Sequence, residues 1–432
     1  MANDETGPTT ESTKMIQLIR GFKDILPGEV ELWQQIERTA STLLEDSGFR
    51  EIRIPIMEKT ELFSRSIGDA TDIVEKEMYT FPDRKGDLVT LRPEATASVV
   101  RAYIQHKMHA VDPVRKFYTI GPMFRRERPQ KGRYRQFYQI NAEIFGVASP
   151  LADVQLIVLL KTLFERLRVP DVRAHINSLG CPACRPAYRE ALVGYLRTVK
   201  DRLCSDCRRR LETNPLRVLD CKVPDCRSAV DKAPALSDYF CHGCRADFDT
   251  VQTHLGRLGV PFEIDARLVR GLDYYTRTTF EMQTGALGAQ SAVAGGGRYD
   301  GLVKMLGGPD IPATGFAVGF DRLAEVCGLS AERFVRSPSL FIAALGEKSL
   351  GIAFEWVCRL AAAGIEADMD FAGRSLKSQM KRADRLGAAY VLMVGEQELS
   401  EKAVLLRNMR TREQEQLPME GIVEALIHRL QP

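Results

Sequence analysis

The most constraining feature of the sequence is a pair of alternating segments within residues 117–145, which flank a basic loop. Alternation with period two predicts two antiparallel strands, because successive side chains of a strand point to opposite faces of its sheet. In the second segment, Gln139, Asn141 and Glu143 fall on one face, and apolar residues fall on the other. Buried polar groups need hydrogen-bond partners, so the polar row predicts a bound polar ligand.

The loop between the two segments is strongly basic. Residues 115–135 contain eight lysines and arginines against the single acid Glu127. The whole chain has a formal net charge of only +3, so attraction for nucleic acid must come from such local patches. A cationic loop beside a polar pocket predicts binding of a polyphosphate, a nucleic acid, or both.

Length and composition are those of an ordinary globular protein with more than one domain. The 432 residues are enough for two or three domains, and 44% hydrophobic with 27% charged residues is typical of a folded chain. No apolar run approaches the roughly 18 residues of a membrane span. The polar N-terminus does not have the apolar segment of a signal peptide. We therefore expect a cytoplasmic protein with no membrane partner.

Strand and helix patterns divide the chain into predicted parts. Residues 1–17 are expected to be a disordered lead-in. Residues 18–328 have the pattern of a large, mainly antiparallel sheet with helices, interrupted by a Cys-rich insertion at 175–250. After a linker at 329–338, residues 339–432 alternate strands and helices, as in a small α/β domain with parallel pairing. The predicted fold class is α+β.

Eight of the ten cysteines lie in four close pairs inside the insertion. The pairs are Cys181/Cys184, Cys204/Cys207, Cys221/Cys226 and Cys241/Cys244. A C-x₂-C spacing lets two thiolates converge on one tetrahedral ion, so four pairs predict two Cys₄ sites for structural zinc, although the third pair has a longer spacing. Clustering without a signal peptide argues against scattered disulfides. Reduced, unliganded thiols remain the alternative, and spacing does not say which pairs share an ion.

Two further motifs identify a resemblance. Together with the polar strands, RGLDYYTRTTFE (270–281) and GFAVGFDRL (315–323) resemble the class II aminoacyl-tRNA synthetases, specifically the histidyl-tRNA synthetase family. The resemblance runs from about Gly21 to the C-terminus. It implies activation of L-histidine with ATP and Mg²⁺, transfer to tRNA(His), a C-terminal anticodon-binding domain, and contact of the insertion with the tRNA acceptor stem. It also implies a homodimer with the Pro55 region in or near the interface.

The resemblance assigns nucleotide contacts and catalysis to charged residues. Arg125 would grip the α-phosphate of ATP, and Arg322 would lie over the adenine as a cation–π partner. Arg270 would reach the reacting carboxylate and the α-phosphate, where negative charge builds during in-line attack. Glu127 would hold Mg²⁺ or order the basic loop, and Arg133 completes the expected ATP-binding set.

Histidine recognition needs an acceptor for one imidazole N–H and a contact to the other ring nitrogen. Glu143 offers the acceptor and a tyrosine hydroxyl the second contact. The residues that the resemblance places around histidine are Glu94, Ala95, Thr96, Arg125, Gln139, Glu143, Arg270, Tyr274 and Tyr275. Ala95 stands where the family commonly has glycine, which is tolerable only if the backbone there does not need a positive φ.

The pattern around the tyrosines predicts a hairpin over residues 262–285. If this segment is extended, Tyr274 and Tyr275 point to opposite faces, which leaves open whether one of them packs in the core.

Two other classes of function remain as alternatives. A histidine-sensing regulatory paralogue of histidine biosynthesis would keep the fold but typically loses the ATP and tRNA apparatus. This chain retains Arg125, Arg270, Arg322 and a C-terminal domain, so that reading is the weaker one. A zinc-dependent nucleic-acid-binding module without catalysis would explain the cysteines and nothing else.

Overall fold

The computed structural model describes residues 15–68, 71–130 and 132–431. The chain forms two compact units, and the boundary falls between Arg333 and Phe334. Residues 1–14 of the predicted lead-in and Lys131 of the basic loop lie outside the described residues.

The strands of the first unit build one large and one small sheet. They are β1 (Arg50–Glu51), β2 (Met57–Lys59), β3 (Tyr79–Pro82), β4 (Leu88–Leu91), β5 (Arg115–Phe124), β6 (Gln136–Phe145), β7 (Val172–Ser178), β8 (Phe262–Ile264), β9 (Thr276–Thr284), β10 (Ala292–Arg298) and β11 (Ala313–Gly319). Within the described residues, the large sheet has the order β1-β5-β6-β11-β10-β9-β7-β8, and β2-β4-β3 form the small one. Pairing in the large sheet is antiparallel except at its two edges, where β1 with β5 and β8 with β7 are parallel. The predicted α+β class with a large, mainly antiparallel sheet is confirmed.

Helices cover one face of the large sheet. The α-helices of this unit are α1 (Val30–Asp46), α2 (Thr60–Ile67), α3 (Thr96–Gln105), α4 (Leu151–Arg166), α5 (Arg185–Thr198), α6 (Ser205–Thr213), α7 (Pro224–Ala229), α8 (His242–Arg257), α9 (Leu302–Met305) and α10 (Phe320–Val326). Apolar side chains of α1, α4, α8 and α10 pack in one cluster with Ile140, Ala142 and Ile144 of β6. The apolar face of β6 is therefore the core face, and its polar row points to the opposite side of the sheet.

The predicted hairpin over residues 262–285 is wrong. β8 and β9 do not pair with each other, because both pair with β7, one on each side. Their connection must therefore pass β7. It carries Arg270, Tyr274 and Tyr275.

The second unit is a mixed α/β domain. Its strands are β12 (Leu340–Ala344), β13 (Ala367–Met369), β14 (Tyr390–Val394), β15 (Ala403–Asn408) and β16 (Gln414–Pro418), and its α-helices are α11 (Glu347–Ala362), α12 (Leu376–Arg385), α13 (Glu396–Glu401) and α14 (Ile422–Leu430). β12 pairs parallel with β13 and β14, as the pattern predicts. β15 and β16 add an antiparallel pair that the sequence pattern did not indicate. None of the described helices in either unit combines the length and apolarity needed to cross a membrane.

Candidate active site and cysteine tetrads

Gln139 of the polar row of β6 lines a cleft, and this row is called the floor below; Asn141 and Glu143 in the same row are almost fully buried. Glu143 lies opposite Gly315 of β11, which in turn lies opposite Gly297 of β10. Gln139 and Asn141 occupy the same face of β6. A Cβ on Gly315 would lie 1.6 Å from Glu143 Oε2, so the absence of a side chain there is what makes room for the carboxylate.

Two amide side chains on this floor have buried atoms without a partner among the described residues. These atoms are Asn141 Nδ2 and Oδ1 and Gln139 Oε1. The two residues are only 1% and 8% exposed. A buried polar atom left without a hydrogen bond costs roughly 1–3 kcal/mol. The floor is therefore built to be completed by a polar ligand.

Glu143 is held by two hydroxyl groups. Thr96 Oγ1 donates to its Oε1 at 2.7 Å, and the Tyr299 hydroxyl donates to its Oε2. Burial raises the pKa of Glu143 to about 8, although both hydrogen bonds favour the ionised form. The sequence analysis did not select Tyr299. Its alternation with residues 295 and 297 along β10 and its end could have indicated that the three residues share one face.

Glu94, Ala95 and Thr96 lie at the start of α3. The Glu94 carboxylate accepts from the backbone N–H of Thr96 at 2.7 Å and of Ala97 at 2.9 Å, so it caps the helix. Burial raises the pKa of Glu94, while these bonds act in the opposite direction. Ala95 has a φ of −98°, so this position does not require glycine.

Both predicted tyrosines are buried beside Tyr299. The ring centroids of Tyr274 and Tyr275 are 4.8 Å apart, and they lie 5.6 and 6.5 Å from that of Tyr299. Burial raises the pKa of each of the three hydroxyls, which are therefore neutral and can both donate and accept.

Arg270 lies across the floor. A Cβ on Gly295 would lie 2.4 Å from its Nη1, so the guanidinium rests directly on the backbone of β10. Arg270 pairs with Glu281 of β9, and its guanidinium carbon lies 5.8 Å from the centroid of the Tyr275 ring. Although burial opposes the charge, Glu281 raises the pKa of Arg270. The sequence analysis did not select Glu281, which faces the cleft because it lies opposite Gly295.

Four further arginines, Arg125, Arg133, Arg227 and Arg322, line the rest of the cleft, whose volume is about 730 Å³. Arg125 Nε donates to the Pro93 carbonyl at 2.9 Å, and Arg322 Nη1 donates to the Ala292 carbonyl at 2.9 Å. Glu127 lies 3.8 Å from Arg125 Nη1 and 3.2 Å from Arg133 Nη1. A single carboxylate thus lies between two arginines at this end of the cleft.

The eight cysteines of the insertion form two tetrads. The outer tetrad is Cys181, Cys184, Cys241 and Cys244, and the inner tetrad is Cys204, Cys207, Cys221 and Cys226; within each, all sulfur atoms lie within 4.8 Å of one another. The first pair thus joins the fourth, and the second joins the third. This nested pairing decides what the spacing left open.

Sulfur geometry in both tetrads fits a tetrahedral ion. The Sγ of Cys181 lies 3.6 Å from that of Cys184 and 3.9 Å from that of Cys241. In the inner tetrad, Cys204 and Cys221 are also 3.9 Å apart. Zinc–sulfur bonds of about 2.3 Å imply sulfur separations of about 3.8 Å in a tetrahedron.

The pKa shifts in the outer tetrad favour a mixture of thiol and thiolate groups. Burial opposes ionisation of Cys181, but hydrogen bonds, chiefly from the backbone amides of Cys184 and Ala183, outweigh it and lower its pKa to about 6. Burial raises the pKa of Cys244 and, in the inner tetrad, of Cys207.

Comparison with known proteins places this cleft in a family. A sequence model described as histidyl-tRNA synthetase matches residues 21–181 and 222–323, and an anticodon binding domain matches 339–429. The histidine–tRNA ligase of Desulfatibacillum aliphaticivorans is 64% identical over 95% of this chain and 98% of its own length. That of Geobacter sulfurreducens is 56% identical over 94% and 98%. The apo histidyl-tRNA synthetase of S. aureus superposes with a TM-score of 0.80 at 36% identity, covering 96% of this chain and all of that one.

The sheet, the cationic cleft and the C-terminal unit are those of a class II aminoacyl-tRNA synthetase, a ligase that uses ATP. Within that class, the chain belongs to the histidyl-tRNA synthetase family. The regulatory alternative is not favoured, because relatives with 50–64% identity are named as histidine–tRNA ligases.

Proposed function

We propose that the protein activates L-histidine with ATP to histidyl-adenylate and pyrophosphate, and then transfers the histidyl group to tRNA(His) with release of AMP. The observation that carries this proposal is the polar floor of the cleft. Its buried Asn141 and Gln139 amides have atoms without a partner among the described residues, beside a buried Glu143 and Arg270. A site for a small polar substrate at one end of the cleft and arginines at the other end fit an amino acid bound next to ATP.

Histidine binding is assigned to the end of the cleft around Glu143. Glu143 accepts one imidazole N–H, and a hydroxyl of Tyr274 or Tyr275 engages the other ring nitrogen. Glu94, Thr96 and Gln139 supply acceptors near the α-amino group. This assignment extends the predicted set by Tyr299, which orients the Glu143 carboxylate through its hydroxyl.

Phosphate chemistry is assigned to the arginines. The histidine carboxylate attacks the α-phosphorus, and the bond to the bridging oxygen breaks as pyrophosphate leaves. Arg125 and Arg270 stabilise the charge on the α-phosphate during this step, and Arg133 holds the outer phosphates. Arg322 fixes the adenine. Mg²⁺ bound with ATP would be held by Glu127 and would neutralise phosphate charge.

Histidine-dependent exchange of pyrophosphate into ATP tests the proposal. We expect exchange with histidine and none with other amino acids. Glu143→Gln should raise the KM for histidine about 10- to 100-fold, because a charge-assisted hydrogen bond worth roughly 1.5–3 kcal/mol is lost. Glu165→Gln, at an exposed position of α4, is the matched control. Exchange with another amino acid instead of histidine would refute the assignment.

The raised pKa of Glu143 predicts proton release when histidine binds. With a pKa of about 8, this carboxyl is mostly protonated at pH 7 in the free protein. An imidazole N–H donor favours the ionised form, so binding lowers the pKa and releases close to one proton at pH 7. Affinity for histidine should therefore increase with pH between 7 and 8 and level off above.

Calorimetry in buffers of different ionisation enthalpy measures this proton release. The Glu143→Gln variant should bind histidine without the corresponding release, since an amide does not titrate. Equal release by the wild type and the variant would show that another group is responsible.

Each cysteine tetrad is further proposed to bind one structural Zn²⁺, since four sulfurs at tetrahedral separations fill all ligand positions. Metal analysis of purified protein should find two zinc ions per chain. Cys204→Ser should reduce this to about one, while Cys358→Ser, at an exposed cysteine outside the tetrads, should keep two. Protein from zinc-replete medium that contains no zinc would favour free thiols.

A homodimer that acts in the cytoplasm completes the proposal. Apolar side chains on the small sheet and beside Pro55 support the predicted interface. Ile56, Met57, Phe81 and Leu88 are all more than two-fifths exposed in the single chain. Such a patch is typical of a surface that is covered by a partner.

A further inference from the structure

We propose that the Cys-rich insertion serves the first half-reaction, the formation of the adenylate. The parts of the insertion that carry the two cysteine tetrads hold the segment Arg270–Arg277 in the position that this reaction requires. This segment is called the substrate loop below. The inference rests on the proposed function and on zinc binding by the tetrads. It assigns the insertion a role that needs no RNA.

The outer tetrad holds the C-terminal end of the substrate loop through Arg185. Arg185 directly follows Cys184 at the start of α5. Its guanidinium donates to the Leu179 carbonyl at 3.0 Å and to the Tyr275 carbonyl. One side chain thus ties the cysteine pair to the backbone of a pocket tyrosine.

The other side of the outer tetrad reaches the same end of the loop. Asp247, one helical turn after Cys244 on α8, pairs with Arg277. Arg277 has a φ of +50°, a conformation that a non-glycine residue keeps only when its surroundings fix it. Its backbone N–H donates to the Gly180 carbonyl at 2.9 Å, next to Cys181.

The inner tetrad holds the first half of the substrate loop. Asn214 and Arg217 lie between the two cysteine pairs of this tetrad. Asn214 Nδ2 donates to Asp273 Oδ1 at 2.8 Å, and Arg217 Nη1 donates to the Gly271 carbonyl at 3.0 Å. Every second residue from Gly271 to Arg277 therefore has a polar contact with the insertion.

The polar contacts are accompanied by apolar packing, since Tyr274 and Tyr275 lie in one apolar cluster with Tyr188 and Leu236 of the insertion. A cavity of about 680 Å³ lies between the insertion and the loop, lined by Arg185, Arg217, Arg270 and Tyr275 among others. Tyr275 is therefore held both by this packing and by the polar contacts of the insertion, while Arg270 also rests on Gly295 and pairs with Glu281.

Part of this support lies outside the sequence that the family model matches. The family match stops at residue 181 and resumes at 222. The skipped segment contains four of the tetrad cysteines and also Arg185, Asn214 and Arg217.

Arg185→Ala and Arg217→Ala test the inference, because neither side chain is a zinc ligand. We expect pyrophosphate exchange without RNA to fall by about 10²-fold in kcat/KM, as when reacting groups are displaced by about 1 Å. The KM for histidine should rise more than that for ATP, whereas a merely less stable protein would lose active fraction with both KM values unchanged. Zinc content should remain at the wild-type value.

Arg197→Ala, at an exposed position of the same helix α5, is the matched control and should exchange normally. Cys184→Ser and zinc-stripped protein should lose exchange, and Zn²⁺ added back to the stripped protein should restore it. Normal exchange combined with defective tRNA charging in Arg185→Ala and Arg217→Ala would overturn the inference and assign the insertion to tRNA alone. Absence of exchange in the zinc-loaded wild type would refute the proposed function instead.

Discussion

Arg270→His is expected to slow histidyl-adenylate formation by at least roughly 10²–10³-fold, the usual cost of removing one preorganised donor from a transition state. The Arg270 side chain is 20% exposed, rests on Gly295 and remains charged beside Glu281. Its Nε is without a partner among the described residues, so the guanidinium keeps donor capacity for a ligand. Transfer from preformed adenylate to tRNA should suffer much less, because negative charge on the α-phosphate builds in the first step.

Single-turnover measurement of each half-reaction separates a catalytic role of Arg270 from a purely structural one. Arg267→His is the matched control, since Arg267 forms an exposed ion pair with Asp231 just outside the substrate loop. If Arg270 only neutralises Glu281, then Arg270→His should lower thermal stability and slow both half-reactions together. That pattern would refute the catalytic assignment.

Arg298→Met should lower the free energy of unfolding of the first unit by about 3–5 kcal/mol, because it breaks a buried ion pair and leaves one charge behind. Arg298 and Asp153 are 1% and 0% exposed. Nε and Nη2 of Arg298 donate to the two Asp153 oxygens at 3.2 and 3.1 Å, and Nη2 also donates to the Ser149 carbonyl at 3.0 Å. The pair joins the end of β10, next to Tyr299 in the sequence, to the first turn of α4.

Denaturant unfolding of the full chain measures this loss. Replacing both partners, in Arg298→Met/Asp153→Leu, should recover most of the stability, since the remaining partner Asp300 is 30% exposed and keeps Arg277 at 3.5 Å. Arg173→Ala is the control: its pair with Glu263 is exposed, so removal should cost less than about 1 kcal/mol. A loss of less than about 1 kcal/mol in the free energy of unfolding for Arg298→Met would show that the buried pair does not stabilise the sheet.

The polar face of β6 was predictable, because alternation is a local property. Period two separates Gln139, Asn141 and Glu143 from Ile140 and Ala142 without any knowledge of neighbouring strands. The same rule failed over residues 262–285. Alternation identifies a strand and its faces but not its partner, and here β7 separates the two strands.

The residues that were missed are those whose roles depend on a distant partner. Tyr299 donates to Glu143 across 156 positions of sequence, and Glu281 faces Arg270 only because β9 and β10 pair in one particular register. Glu281 ends the motif of residues 270–281, but a sequence motif does not indicate which distant side chain its residues face. The glycine at position 315 is a similar case, since its lack of a side chain matters only through Glu143.

The cysteines show most clearly what the sequence determines and what the tertiary structure determines. Spacing alone predicted that close pairs of thiols could share tetrahedral ions, because two residues separated by a short turn are always near each other. Which pairs come together depends on how α5 to α8 fold back on themselves, and the tertiary structure nests the inner tetrad within the outer one. The sequence by itself determined the α+β class, the polar face and the candidate ligands. The tertiary structure decided the strand order, the nested tetrads and the contacts of the insertion with the substrate loop, because these depend on residues brought together from distant parts of the chain.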